Sequence, residues 1–556
     1  MPPLVAVTLA IVAILALSSI GAHHKSFFLS SRFLLPVMIS ISLFVNFSIY
    51  LVQPNPFARP LFATVDAYRD FANAARIVKL SGFRPEDLVG AGSYVEFPVV
   101  SMLISILSLV GALSIQEGLI ILAVTFEILG VVGVWLLSTA VVRKFDPAFA
   151  SSAGVLTVIL VWLQPYFIDP SSYLAPLRFS IPLLVLVVYL LYRTQPGTTR
   201  LATHSFFISI LILVAVIVPM HAATALAFMG FCVLAGLLAP TQSQLARTVV
   251  LIALVSFSSY VLSGAALPYA VLLAFAARAY SVLAQIMSHG PTIISNAAIA
   301  GRIVQVSELD NYMNVLPDAL VLSICTVCVA KSLGLLRGNL QARKLNLLHL
   351  AFGLFAFFGV AGGLISSTFG LDMRYFAFPI TPLLVVACAV ILSFALRNAT
   401  TSRMRGLVLI GVVMVYAFSL AGSPNLLYET NPLRARMLPT ESESAAGQFV
   451  SINMQINDKA EILSDWPFYQ YVEGLTYSNN IGIEQKIHII DLMEESFPSW
   501  KQESFVILRQ YYLQNLFLEE VSPYTGVLKN VGMWNSPNYN KIYDSSTTWV
   551  YLSTFE

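Results

Sequence analysis

Apolar runs of about 18 or more residues recur through the first 420 positions of this chain. A helix of that length crosses a hydrocarbon core about 30 Å thick. Lipid offers a backbone no hydrogen-bonding partners, so each such run must fold as an α-helix. The runs predict spans at about 3–20, 33–52, 118–140, 149–166, 178–192, 204–219, 221–239, 247–264, 315–337, 347–369, 375–396 and 405–422. Two further apolar stretches, 97–113 and 265–286, read as helices lying at or re-entering the outer interface, or as two more spans. The expected fold class is an α-helical polytopic membrane protein of about 12–14 spans with a small extracytoplasmic C-terminal α/β domain. The N-terminal run has no basic stretch before it and reads as a retained span rather than a cleaved signal.

Composition agrees with this. Hydrophobic residues make up 57% of the 556 positions and charged residues 11%, where a soluble protein carries roughly 25% charged. The near-neutral total hides a division. Residues 1–422 hold 23 Lys/Arg and 13 Asp/Glu, whereas residues 423–556 hold 8 and 16. A two-part organisation follows: a transmembrane domain over 1–422, with a long external loop at 53–96, and a soluble acidic domain over 423–556. An acidic tail suits no nucleic acid partner, whose phosphates require a basic surface. Cys232, Cys325, Cys328 and Cys388 all lie in apolar runs, so the tail holds no disulfide. The Cys325/Cys328 spacing reads as small apolar packing.

Lys and Arg in short loops set orientation. His23, His24, Lys25 and Arg32, then Arg143 and Lys144, the Lys331–Lys344 group, and Arg397, Arg403 and Arg405 fall on one side of twelve spans. That side is the cytoplasm. Loops 53–96, 167–177, 265–314 and 370–374 and both termini are then external. In the tail, 441–455 reads as a helix and 459–464 and 504–509 as strands. Two more strands, from Lys541 and over 547–552, flank an Asp-Ser-Ser turn.

Loop 53–96 is the richest in polar chemistry. A helix is predicted from Thr64 to Leu80, ended by Gly82. On it Asp66, Asp70, Asn73 and Ile77 are spaced by four, three and four and share one face. Asp66 suits the first turn of a helix on electrostatic grounds alone, behind a Thr64 cap. Asp70 has a local partner available in Arg69 or Arg76. Asp169 and Arg178 fall at neighbouring span ends, where they form either an ion pair or a donor-phosphate site. Glu127 stands near the middle of a span, where a carboxylate is costly and marks either function or a bond to a neighbouring helix. His221 reads as an interfacial packing residue. The sequence has no HExxH, no phosphate-binding glycine loop and no zinc-like Cys/His set, which argues against zinc hydrolysis and ATP-driven transport.

The order of features is span, external loop, Asp near a helix start, then an aromatic-Pro entry into an apolar run. Its residues are Asp66-Ala-Tyr-Arg-Asp70, Gly82-Phe83 and Tyr94-Val-Glu-Phe-Pro98. Later come Asp372-Met-Arg374-Tyr375-Phe-Ala-Phe-Pro379 and Asn540-Lys-Ile-Tyr-Asp544. This layout resembles the GT-C superfamily of membrane glycosyltransferases, which includes protein O-mannosyltransferases and oligosaccharyltransferases. The Asp-x-x-x-Asp spacing differs from the adjacent Asp-Glu of the former and the Asp-x-Asp of the latter. The resemblance implies transfer of a sugar from a polyprenyl-phosphate-linked donor to a protein, lipid or glycan acceptor, within membrane lipids, on the outer face. It implies Asp66 as general base. It implies donor-phosphate or substrate contacts from Asp70, Arg374, Tyr375, Asp169, Arg178, Tyr94 and Glu96. It leaves open a divalent metal, Mg or Mn, at Asp66 and Asp70.

Two other readings share the substrate class. A transporter or flippase would show paired repeats with broken helices, and the sequence shows no such pairing. An O-antigen-type polymerase or ligase would place its key residues in a large late loop, for which 265–314 is available.

Overall fold

The computed structural model describes residues 35–40, 42–43, 65–82, 98–143, 147, 150–162, 176–193, 200–221, 224–225, 228, 258, 441–453, 461–463, 472, 504–509, 539–544 and 548–553. In chain order these give α1 (Val65–Leu80), α2 (Val99–Gly111), α3 (Ile115–Arg143), α4 (Ala150–Trp162), α5 (Pro176–Arg193), α6 (Arg200–Ile217) and α7 (Glu441–Asn453). Strands β1 (Glu461–Leu463), β2 (Ser504–Arg509), β3 (Tyr539–Asp544) and β4 (Thr548–Ser553) follow. The predicted spans at 3–20, 247–264, 315–337, 347–369, 375–396 and 405–422, and the stretch 265–286, lie wholly or almost wholly outside the described residues.

α3 is the axis of the described helices. Its 29 residues rise about 43 Å, beyond a bilayer core of about 30 Å. Among the described residues it is the one helix long and apolar enough to cross a membrane. It takes α4 and α5 along its sides, and small residues set how closely. Gly133 packs against Val185 and Leu186 of α5. At Gly154 of α4 an added methyl would fall 2.6 Å from the Trp135 indole and 2.5 Å from the Thr139 hydroxyl. The matches of Glu127 to Arg178 and Gly133 to Val185 run α5 parallel to α3. Gly154 lying against Thr139 and Trp135 sets α4 between the same helices' turns.

α2 is built inside out. It buries Ser101, Ser105 and Ser108, and exposes Ile106, Leu109 and Val110, the last at 83%. Water would oppose that arrangement and lipid favours it. Its 13 residues rise about 20 Å, less than one crossing. The stretch 97–113 is thus a short helix, packed on α1 and α3. Its end is tight. Ala112 takes a left-handed conformation at φ 51° and the Leu113 amide reaches back to the Ser108 carbonyl at 3.1 Å. Three residues later α3 begins with a capping box. The Ser114 amide and hydroxyl donate to Glu117 at 2.7 and 2.8 Å, and the Glu117 amide donates to the Ser114 hydroxyl at 3.2 Å. α2 and α3 therefore form an antiparallel hairpin.

The described tail elements form a four-stranded sheet in the order β1-β2-β4-β3. β1 pairs parallel to β2, and β4 pairs antiparallel with both β2 and β3. A register shift between Lys541 and Tyr543 interrupts the β3/β4 ladder. β2 coincides with the strand predicted at 504–509, and α7 packs against β2 and β4.

Candidate functional site

α1 begins one residue after Thr64 and ends where Gly82 was expected to stop it. The left-handed residue is Ser81 at φ 51°, not the glycine. The Gly82 amide closes the end on the Ile77 carbonyl at 3.2 Å, so the glycine occupies the position after the turn. The face predicted from spacing is the buried one: Asp70 and Asn73 are each 1% exposed and Ile77 7%.

What buries that face is α2. Ser101 donates its hydroxyl to Asp70 Oδ1 at 2.7 Å. One turn on, the Ser105 hydroxyl donates to the Ser101 carbonyl of its own helix at 2.7 Å and shares that proton with the Ala74 carbonyl at 3.2 Å. Both matches advance by four residues in the same sense, so α1 and α2 run parallel. Ala74 and Ala75, 0% and 2% exposed, let the backbones approach. Continuing the register by one turn sets Asp66 of α1 level with the start of α2 at Pro98 and Val99.

The same reckoning ties this end to α3. Gly118 packs on Ile104 and Leu107 of α2, and α1 also contacts α3. The sequence reading set the Asp66 helix in an external loop; in the structure that helix, α1, packs on α2 and α3.

Glu127 is 4% exposed and serves as a three-way junction. Its Oε2 lies 3.4 Å from Arg178 Nη2, and Ser42 donates to its Oε1. Phe126 and Phe179, each one residue along, meet edge to face at 5.4 Å between ring centroids. Arg178 is thus placed on Glu127, 51 residues earlier; Asp169, its expected neighbour, lies outside the described residues. Pro182 inside α5 removes the helical donor that would serve the Arg178 carbonyl. His221 reaches Thr224 at 3.0 Å through Nδ1, and Thr224 lies 2.7 Å from the Ser180 hydroxyl. That interfacial histidine is bonded into the start of α5.

The first turn of α5 meets α3 at Phe126 and Glu127, and α1 and α2 pack on α3 as well. Helix starts carry partial positive charge, and the charge of Arg178 is balanced by Glu127. Asp66 sits in the first turn of α1. Tyr94, Glu96, Asp169, Arg374 and Tyr375 lie outside the described residues. Among the described residues no group of three His, Cys, Asp or Glu could hold a metal ion. Asp70 turns its Oδ1 to Ser101. Sequence reasoning passed over Ser42, Ser101 and Ser105. The signal for the last two was present: serines four apart on one face of a run otherwise built of Ile, Leu and Val.

No family model and no curated protein matches the sequence. Solved structures do. The Archaeoglobus fulgidus oligosaccharyltransferase tethered to an acceptor peptide containing the NVT sequon aligns at TM-score 0.51 and 12% identity, over 94% of this chain and 74% of that one. The same enzyme with Zn and sulfate aligns at 0.50 and 14%, over 80% and 61%; there the chain spans less than two thirds of the enzyme's length. ArnT from Cupriavidus metallidurans in the apo state aligns at 0.48 and 13%, over 93% and 97%. The archaeal enzyme, AglB, has also been solved with an inhibitory peptide and a dolichol-phosphate, and ArnT with undecaprenyl phosphate. The archaeal oligosaccharyltransferase is a GT-C glycosyltransferase, and its fold is the one this chain shares.

Proposed function

We propose that the chain is a membrane glycosyltransferase that moves a sugar from a polyprenyl-phosphate-linked donor to an acceptor at the outer face of the membrane. The single observation that carries this reading is the likeness of fold to the archaeal oligosaccharyltransferase, which extends over nearly the whole chain. The local geometry supports it. Asp66 lies in the first turn of α1, and the long apolar helix α3 holds a buried arginine of α5 through Glu127. A donor whose lipid stays in the bilayer presents its phosphate to such a place.

In this reading Asp66 takes the proton of the acceptor as its oxygen or nitrogen attacks C1 of the sugar. The C1–O bond to phosphate breaks, and the lipid phosphate leaves with the electron pair. Positive charge beside the leaving group stabilises it. Arg374 with Tyr375 carries that role, and Tyr94, Glu96 and Asp169 line the acceptor and donor approaches. The start of α5 contributes partial positive charge. The C-terminal domain over 423–556 stands on the same outer side and steers or braces the acceptor. A divalent ion, Mg or Mn, enters the proposal as a requirement to be titrated, and no step is routed through it.

The test places the purified protein in proteoliposomes with a radiolabelled polyprenyl-phosphate sugar and a membrane extract as acceptor. The enzyme reading predicts label covalently bound to acceptor and free polyprenyl phosphate in equal amount. Label that crosses the bilayer with the donor intact would make the chain a flippase instead.

A further inference from the structure

The carboxylate one turn beyond Asp66 has so far been given no step. We propose that Asp70 is the positioning residue of this site: through Ser101 it locks α1 on α2 in the register that aims Asp66, and it contacts neither donor phosphate nor metal. The inference rests on the glycosyltransferase reading for its consequence, and on geometry alone for its cause.

Three observations carry it. Asp70 is 1% exposed, so a phosphate has no approach to it without unpacking the helix pair. Its Oδ1 accepts from the Ser101 hydroxyl at 2.7 Å, a charge-assisted bond of the strong and directional kind. The next contact along, Ser105 to the Ala74 carbonyl at 3.2 Å, falls one turn away in both helices. A slide of one residue moves α1 by about 1.5 Å and turns it by about 100°, and neither contact survives that. The two bonds therefore select one rotation and one height for α1. Asp66, in its first turn, inherits both. Charge points the same way. A phosphate brought to Asp70 would meet a like charge, whereas the serine hydroxyl offers the donor that a carboxylate needs. Displacing a reacting group by about 1 Å can cost about 100-fold in rate, so a clamp one turn away acts on turnover more than on binding.

The experiment measures kcat and donor KM for transfer from a polyprenyl-phosphate sugar, with thermal unfolding, for Asp70→Ala, Asp70→Asn, Ser101→Ala and Asp66→Asn. Asp70→Ala should lower kcat by about 100-fold and leave donor KM within about twofold of the parent. Asp70→Asn keeps an oxygen for Ser101 and should restore most of that loss, while Asp66→Asn should not recover. Ser101→Ala should fall between. If Asp70→Asn is as inactive as Asp66→Asn, or if Asp70 variants raise donor KM at constant kcat, Asp70 is a ligand and the inference is overturned. A second arm needs no activity. In thermal unfolding, Asp70→Ala and Ser101→Ala combined should destabilise by little more than the larger single loss, because both break the same bond. Losses that add in full overturn the clamp even where the transferase reading itself has failed.

Discussion

α1 with α2 and α3 with α5 are two helix pairs held by opposite means. The α3/α5 pair is apolar on nearly every side. It is set by shape at Gly133, by the Phe126–Phe179 edge contact and by one ion pair, Glu127 to Arg178. The α1/α2 pair is joined by hydrogen bonds from serines on a helix that also turns Ile106, Leu109 and Val110 outward. In lipid, apolar packing gains little over contact with the bilayer, so close fit and polar contacts decide how helices associate. Shape tolerates small slides, and directional bonds do not. The difference teaches where the chain invests in exact placement: in the pair that carries Asp66.

The sharpest way to break this comparison is to remove half of the ion pair. Glu127→Leu alone or Arg178→Leu alone should cost about 3–5 kcal/mol, because each leaves a buried charge uncompensated. The double replacement should recover most of that loss. Thermal unfolding in detergent reads both, and a double variant as unstable as either single one would mean the pair is not an isolated unit. Gly154→Ala comes next. The added methyl meets an indole ring and a hydroxyl rather than the end of a flexible side chain, which should cost about 1–3 kcal/mol. Unchanged stability there would show that α3 and α4 fit loosely.

Smaller effects separate the two serines. Ser101→Ala leaves the Asp70 oxygen without that donor and should cost about 1–3 kcal/mol. Ser105→Ala removes a bond to a carbonyl already in its helix and should cost about 0.5–1.5 kcal/mol. The reverse order would move the anchor of α1 from Asp70 to the backbone. Smallest is Ala112→Gly. The left-handed turn at φ 51° strains a residue with a Cβ and suits glycine, so the change should stabilise by up to about 1 kcal/mol. A loss of stability would mean that the Ala112 methyl packs against something of value.

The helix over α1 was legible because its signals are local. A cap residue, two acids and a terminal glycine bracket it, and the spacing of Asp70, Asn73 and Ile77 named the buried face. Which residue would adopt positive φ was not, since Ser81 took it and the glycine followed. The partner of Arg178 was illegible for a different reason. Glu127 is 51 residues away, and the contact exists only because α3 and α5 pack in parallel. Nearness in sequence pointed to Asp169, which lies outside the described residues. The packing of α1 was hidden in the same way. It depends on α1 and α2 running side by side and on α2 folding back along α3, relations fixed by serine and glycine contacts rather than by hydropathy. Asp70 read as a partner for Arg69 or Arg76 on a solvated face; it is buried on Ser101 instead, a donor that sits across an 18-residue connection.

The most direct test of the account is the initial rate of sugar transfer from a polyprenyl-phosphate donor by Asp66→Asn, compared with the unchanged protein at equal amounts of folded material. The account predicts that transfer falls to background while the unfolding temperature stays within a few degrees. Transfer at the parent rate would contradict it.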